Sequence, residues 1–215
     1  SNCGLCINVC KFNAINSGEN YPFIKNSHCE GCNTCSLVCN TKSIKLKPYK
    51  TGEIFSSKTS FGEMIHGRLT PGEEVSGRLV SEIRKRAKKR AVENGSEIIL
   101  IDGPPGIACN VISTITGVDL AVIVTEPTIS GYHDLIRVYE TSNKLSVKTG
   151  VIINKYGLSE EYTFKIISYC MDNNISILGK VLLSNKIRAS INRREIPNID
   201  NEDIVKNIKD ILWII

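Results

Sequence analysis

At 215 residues and 41% apolar content, the chain can hold one medium domain or a small one joined to a larger, with enough apolar residues for a real core. Its net charge of +5 is mild and forms no long basic tail, so the composition does not suggest a nucleic-acid partner. No signal peptide is visible and no apolar run approaches the roughly 18 residues of a membrane span, so a soluble cytoplasmic protein without a span is expected.

The first element is a cysteine segment. Seven of the nine cysteines fall at positions 3, 6, 10, 29, 32, 35 and 39, while Cys109 and Cys170 stand apart. In an intracellular protein such density reads as metal ligation before disulfides. Cys3, Cys6 and Cys10 recur 29 residues later as Cys32, Cys35 and Cys39, and CKFNAI (10–15) echoes CNTKSI (39–44). The second copy is complete, Cys29-x2-Cys32-x2-Cys35-x3-Cys39. This spacing suits a 4Fe–4S cube: three close thiolates wrap one cluster and the fourth cysteine reaches across to the other. Cys10 then belongs with Cys29, Cys32 and Cys35, and Cys39 with Cys3 and Cys6. Zinc ribbons also use paired C-x2-C motifs, but they do not need the third and fourth cysteines at x2 and x3. A run of C-x2-C-x2-C-x3-C would need one more cysteine just before Ser1, and the expectation is a chain cut at that point.

Residues 1 to about 46 resemble the bacterial two-cluster ferredoxins. That family usually places proline after the last cysteine of each run, where Lys11 and Asn40 stand here.

After Pro48 the pattern changes. TPGE (70–73) predicts a helix start, with Thr70 as N-cap, Pro71 in the first turn and Glu73 closing a capping box. The helix runs through RLVSEIRKRAKKRAVE to Asn94-Gly95, with Leu79, Val80, Ile83, Ala87 and Ala91 on one face. Arg84, Lys85, Arg86, Lys88, Lys89 and Arg90 form the other, expected to be solvated rather than to bind nucleic acid or a membrane. Apolar strands are predicted at Ile98–Ile101, Leu120–Val124, Val151–Ile153 and Ile177–Leu183, with helices near 130–145 and 159–173. Short buried strands alternating with helices predict a parallel α/β sheet. A closing amphipathic segment, NEDIVKNIKDILWII, is expected to pack on it.

In EIILIDGPPGIACNV (97–111) an apolar strand delivers Asp102 at its carboxyl end, where open α/β sheets bind ligands. A carboxylate there suits a Walker B role, holding Mg²⁺ directly or through water. Gly103, Pro104, Pro105 and Gly106 suit a switch loop. A plain strand-to-helix turn remains the alternative.

IILIDGPPGI, GVDLAVIVTEPTISGYHDL (117–135) and KTGVIINKYG (148–157), in this order, resemble the MinD/ParA-type P-loop ATPases. They are most similar to the group that carries an inserted two-cluster ferredoxin domain, and FGEMIHGRLTPGEEVSGRLV fits that group too. The resemblance implies a ferredoxin-type iron–sulfur domain over 1–47, followed by a partial, parallel-sheet P-loop NTPase domain over 48–215. It implies Asp102 as the Walker B acid, Gly103–Gly106 as switch II and Asn154 as the contact to adenine. Gly157 stands where a GTPase has aspartate. The cofactors implied are two 4Fe–4S clusters, one short of a ligand here, with ATP and Mg²⁺ in the intact protein. The partners implied are redox or iron–sulfur proteins and, for the intact protein, a second copy in a homodimer.

No G-x4-G-K-S/T run occurs, and Gly179-Lys180 continues into Val181. Without that backbone cradle and lysine the phosphates have no site, so the chain by itself is expected to be an inactive ATPase. Rival readings are a pure electron carrier and a cluster scaffold. Cys109 and Cys170 are expected to be small buried thiols. His28, His66 and His133 lack ligand-like spacing, although His133-Asp134 at a helix start could face a partner subunit. Glu126-Pro127 ends a strand and could shape the nucleotide pocket.

Overall fold

The 29-residue repeat is present in the backbone as well as in the cysteines. The computed structural model describes residues 2–73, 77–197, 206, 207 and 210, and the chain divides into two units, Ser1–Val75 and Ser76–Ile215.

In the first unit, helix α1 (Leu5–Val9) and helix α2 (Thr34–Leu37) pack together, and each is headed by a left-handed residue. Gly4 has φ 69° and Asn33, 29 positions on, has φ 67°. Glycine and asparagine are the residues that tolerate this conformation best. The match continues beyond the helices. Cys10 O accepts from Asn13 N (3.4 Å) and Cys39 O from Lys42 N (2.9 Å), and both donors have φ 50°. Ala14 N donates to Cys10 Sγ (3.3 Å) and Ser43 N donates to Cys39 Sγ (3.4 Å). The turns after Cys10 and Cys39 thus form with Lys11 and Asn40 in place of proline. A short antiparallel ladder pairs β1 (Ile15–Asn16) with β2 (Phe23–Ile24).

The same unit contains a hairpin that the sequence reading does not anticipate. Strands β3 (Gly52–Thr59) and β4 (Gly62–Leu69) pair antiparallel along their whole length, closing at Thr59↔Gly62. Thr59 Oγ1 accepts from Phe61 N (3.2 Å) and donates to Gly62 O (2.8 Å), which fixes the turn. Phe55 stacks on His66, and Ser57 Oγ lies 2.9 Å from His66 Nε2.

The helix start predicted at Thr70-Pro71 is corrected by the structure. Residues 71 and 72 form a turn, closed by Glu73 N donating to Thr70 O (3.1 Å), and the described helix α3 spans Gly77–Asn94. Its stop at Asn94-Gly95 is as expected, with Gly95 left-handed. In the second unit α3 packs on α4 (Cys109–Ile115), a helix too short to show a period in sequence. Arg84, assigned to the solvated face, instead reaches α4: its Nη1 donates to Ser113 O and Thr116 O, two carbonyls at the end of that helix.

The sheet is parallel, in the order β5 (Ala121–Thr125), β6 (Thr149–Tyr156), β7 (Ser176–Leu182). Helix α5 (Ile129–Lys144) crosses from β5 to β6, and α6 (Glu160–Asp172) from β6 to β7. Both helices are capped: Thr128 accepts from Gly131 N and Ser159 from Tyr162 N. Their apolar faces meet the sheet in one core of Ile123, Leu135, Val151, Ile153, Ile166, Cys170 and Ile175. Helix α7 (Asn185–Asn192) follows β7.

The strand expected at Ile98–Ile101 does not form. The segment carries no regular structure, and Leu100 is 94% exposed. Its composition suits a central strand, but a strand exists only through a ladder partner, and no described strand lies beside it. The closing segment 201–215 lies outside the described residues except for Lys206, Asn207 and Asp210; of these, Asn207 Nδ2 donates to Leu178 O (2.7 Å).

Candidate functional site

The repeat folds four of the seven clustered cysteines onto one pocket. Cys10, Cys29, Cys32 and Cys35 line it together, and its wall is completed mostly by apolar side chains, among them Phe12, Ile15, Ile24 and Ile44. These are the four thiols that the spacing groups on a single cluster. The pocket holds about 60 Å³, several times what one water needs. Cys3, Cys6 and Cys39 do not line it.

The sulfurs are held by local donors. Backbone N–H groups aim at Cys10 and Cys39, and the Thr34 and Thr41 hydroxyls lie 3.5 Å from Cys32 and Cys39. The Ala14 N–H lowers the Cys10 thiol, and the Thr34 hydroxyl lowers Cys32. The Thr41 hydroxyl, then the Ser43 N–H, bring Cys39 down to about 7. Burial raises Cys35. Hydrogen bonds to the charged form favour thiolate, the form that binds metal.

Four thiols on one apolar-walled pocket are the kind of donor set that could hold a 4Fe–4S cluster. Among the described residues no three His, Cys, Asp or Glu side chains stand close enough to share a single metal ion. A cube asks for another arrangement, since each thiolate binds its own iron. Among the described residues of the first unit the buried side chains are Ala14 and Ile15. Small units with so few buried side chains commonly rely on disulfides, metal or an equivalent staple, and the cysteines are free thiols.

The second candidate region lies at the carboxyl ends of β5 and β6, where parallel sheets bind ligands. The register sets Thr125 beside Ile153, so the residues that follow also fall together. Asn154 is half-buried, and its Oδ1 accepts from Lys155 N (3.0 Å). Lys155 is left-handed, at φ 52°, and its Nζ pairs with Glu126 Oε1 at 2.7 Å. The chain after β5 turns tightly here: Thr125 Oγ1 donates to Gly131 O (2.8 Å), and a Cβ on Gly131 would lie 2.2 Å from Glu126 O. Only glycine allows so close an approach.

Asp102 is exposed and sits on the segment that forms no strand, so it is not brought to a strand end. Gly103, Pro104, Pro105 and Gly106 continue as an irregular loop into α4, with Gly106 at φ 90°. Cys109, expected to be buried, is exposed at the start of α4; the short helix buries Val111 and Ile115 instead. Cys170 is buried as expected, and burial pushes its thiol up to about 11. The Glu126–Lys155 pair and the Arg84 cap are absent from the sequence reading. Lys155 follows Asn154 in NKYG, but its partner is set by strand register, which the sequence does not display.

No protein-family model matches the chain. It is 37% identical over 196 residues to the uncharacterised protein MJ0578 of Methanocaldococcus jannaschii, covering 88% of this chain and 68% of that protein. It is 33% identical over 163 residues to the uncharacterised protein MJ0579 of the same organism, covering 74% and 58%. Among solved structures it is similar to the cell division ATPase MinD of Pyrococcus furiosus, with a TM-score of 0.48 and 22% identity over 63% of this chain and 59% of that one. The chain therefore spans about two thirds of the length of the first relative and less of the second. No described helix is long and apolar enough to cross a membrane.

Proposed function

The chain belongs to the family of the M. jannaschii protein MJ0578, and we propose that it is an iron–sulfur protein of the MinD/ParA-type ATPase superfamily. In the longer proteins of the family, ATP binding and hydrolysis would be coupled to electron transfer or to the handling of clusters.

The observation that carries this reading is the pocket shared by Cys10, Cys29, Cys32 and Cys35. These four residues would hold one 4Fe–4S cluster, and Cys39 would serve the other with Cys3 and Cys6. A bound cluster supplies one-electron transfer. The chain's own residues would do the rest. The Ala14 and Ser43 N–H groups would steady the charge on the Cys10 and Cys39 sulfurs, and Phe12, Ile15, Ile24 and Ile44 would give the pocket an apolar wall.

The order of motifs on the α/β unit supports the ATPase part. Asp102 would hold Mg²⁺, Gly103–Gly106 would follow the state of the γ-phosphate, and Asn154 would meet the adenine, its amide steadied by Lys155 N–H. A phosphate cradle would come from outside this chain, since no G-x4-G-K-S/T run occurs in it. The protein would work in the cytoplasm as a homodimer, with redox or iron–sulfur proteins as partners.

Iron and acid-labile sulfide analysis after anaerobic purification tests the cluster reading. Iron and sulfide in equal amounts support it; zinc without sulfide sinks it. The lack of a phosphate loop favours, as second reading, an electron carrier or cluster scaffold without ATPase activity. In a full-length family member, Asp102→Asn at the corresponding position should abolish most ATP hydrolysis. A full-length protein that never hydrolyses ATP would favour the carrier, or the scaffold if it transfers clusters to an apo-protein.

A further inference from the structure

We infer that Glu126 is a positioning residue for Asn154 and acts through the backbone of Lys155. The inference rests on the reading of Asn154 as a base contact and adds what holds that side chain in place.

Strand β6 is irregular at its carboxyl end. Its ladder with β7 pairs Ile153 with Lys180 and then Tyr156 with Leu182, three steps on β6 against two on β7. One extra residue is therefore taken up at Asn154-Lys155 as a β-bulge. Bulges are rare between parallel strands, and they re-aim the side chains beside them. Lys155 is left-handed here, at φ 52°. That region disfavours a residue with a Cβ by about five- to thirtyfold, so other contacts must hold it. Three are visible. Lys155 N donates to Asn154 Oδ1 (3.0 Å), and Lys155 O accepts from Leu158 N (3.0 Å). The third is the ion pair from Lys155 Nζ to Glu126 Oε1, 2.7 Å, which comes from the neighbouring strand end.

Glu126 suits the part of anchor because its own backbone is pinned. It precedes Pro127, whose side chain is fully buried, and the residue before a proline is restricted to extended conformations. Its carbonyl accepts from Thr128 N (2.8 Å) and lies so close to Gly131 that a Cβ there would approach it to 2.2 Å. A carboxylate fixed after β5 thus ties down an ammonium on β6. The consequence falls on the Asn154 amide. Lys155 N–H meets Oδ1, which sets the amide rotor with Nδ2 on the other side. Ile153 and Tyr156 are both held in the ladder. Lys155 can therefore leave the left-handed region only if the 154–155 peptide turns with it, and that takes its N–H off Oδ1. Lys155 serves as a tether in this arrangement, not as a contact to the nucleotide.

Nuclear magnetic resonance of the 215-residue chain tests this, with adenosine as the probe because it needs no phosphate cradle. In Glu126→Ala the residue-155 N–H should lose protection from exchange by up to about fivefold, the worth of an exposed ion pair. The shift that adenosine causes at the Asn154 side-chain amide should need correspondingly more adenosine. Glu126→Gln should lie between. Adding Lys155→Gly to Glu126→Ala should restore both signals, because glycine enters the left-handed region freely. Glycine would rescue neither signal if the Lys155 ammonium itself bound the nucleoside. Lys165→Gln, which breaks the Lys165–Glu161 pair on α6, should change nothing. Unchanged protection in Glu126→Ala, or a double variant no better than the single one, would overturn the inference. Adenosine that leaves the Asn154 amide unshifted while protection falls and recovers as stated would sink the base-contact reading and uphold the tether, so the two failures are distinguishable.

Discussion

Thr41 should control the reactivity of Cys39. The hydroxyl of Thr41 lies 3.5 Å from Cys39 Sγ and, together with Ser43 N–H at 3.4 Å, brings that thiol to about 7. An ordinary thiol near 8.5 is about 3% ionised at pH 7, whereas one at 7 is half ionised, a gain of about 16-fold in thiolate. Nucleophilicity falls as the pKa falls, with a Brønsted slope near 0.4–0.5, which takes back about four- to sixfold. Cys39 should therefore be alkylated by iodoacetamide about three- to fourfold faster at pH 7 than an unperturbed exposed thiol. Protein with the Cys10, Cys29, Cys32 and Cys35 site occupied and Cys39 left free, brief labelling and peptide mass spectrometry give the rate at each free cysteine. Cys170, buried and raised to about 11, is the unreactive internal control. In Thr41→Val the midpoint of the Cys39 profile should move up and its rate at pH 7 should fall roughly twofold. The linkage to folding has a definite sign. A depressed thiol pKa helps the folded unit above the ordinary thiol range, and the help is lost as pH falls through about 7. An unchanged Cys39 profile in Thr41→Val would refute the assignment of the shift to that hydroxyl.

The chain by itself should give no saturable heat on titration with Mg-ATP, because no G-x4-G-K-S/T run provides a phosphate cradle; micromolar binding would reveal a phosphate site elsewhere. Arg84→Met should lower the stability of the α/β unit by about 1–3 kcal/mol through the loss of donors to Ser113 O and Thr116 O. Chemical denaturation measures this, and a neutral substitution would return Arg84 to the solvated face. Ile166→Ala, at a fully buried position where α6 meets the sheet, should cost about 2–5 kcal/mol in the same assay while leaving iron content unchanged.

Much of this fold is legible in the sequence where pattern and packing coincide. Strands β5, β6 and β7 show as apolar runs and α5 and α6 as the segments between them, because a sheet covered by helices needs continuous hydrophobic strands. The run Ile98–Ile101 has the same composition and yet forms no strand, since composition reports burial preference but not a neighbour. The β3–β4 hairpin is missed because its Ser60-Phe61 connection carries no Asn-Gly or Asp-Gly signal. The start at Thr70-Pro71 is misread because a proline followed by glycine serves a turn as well as a first helical turn. In the cysteine segment the repeat is read directly, and matched φ values and N–H···S contacts at an offset of 29 residues follow it.

The two halves of the functional reading stand on different grounds. The cluster reading rests on side chains that the fold brings together, four thiols on one pocket in a unit whose own core is Ala14 and Ile15. A unit built this way should depend on whatever the thiols hold, because ligand binding to a site that exists only in the folded state adds directly to folding free energy. The nucleotide reading rests on motif order, with its residues divided between an ordered strand end and an irregular loop. Asn154 sits on β6 beside the Glu126–Lys155 pair, while Asp102 lies on an exposed segment without a ladder. A Mg²⁺ carboxylate acts only when its strand fixes it against the phosphates. Under the proposed nucleotide reading, ordering of residues 97–102 into the sheet would be the step that ATP chemistry requires, and amide exchange over those residues in a longer family member, with and without Mg-ATP, measures it.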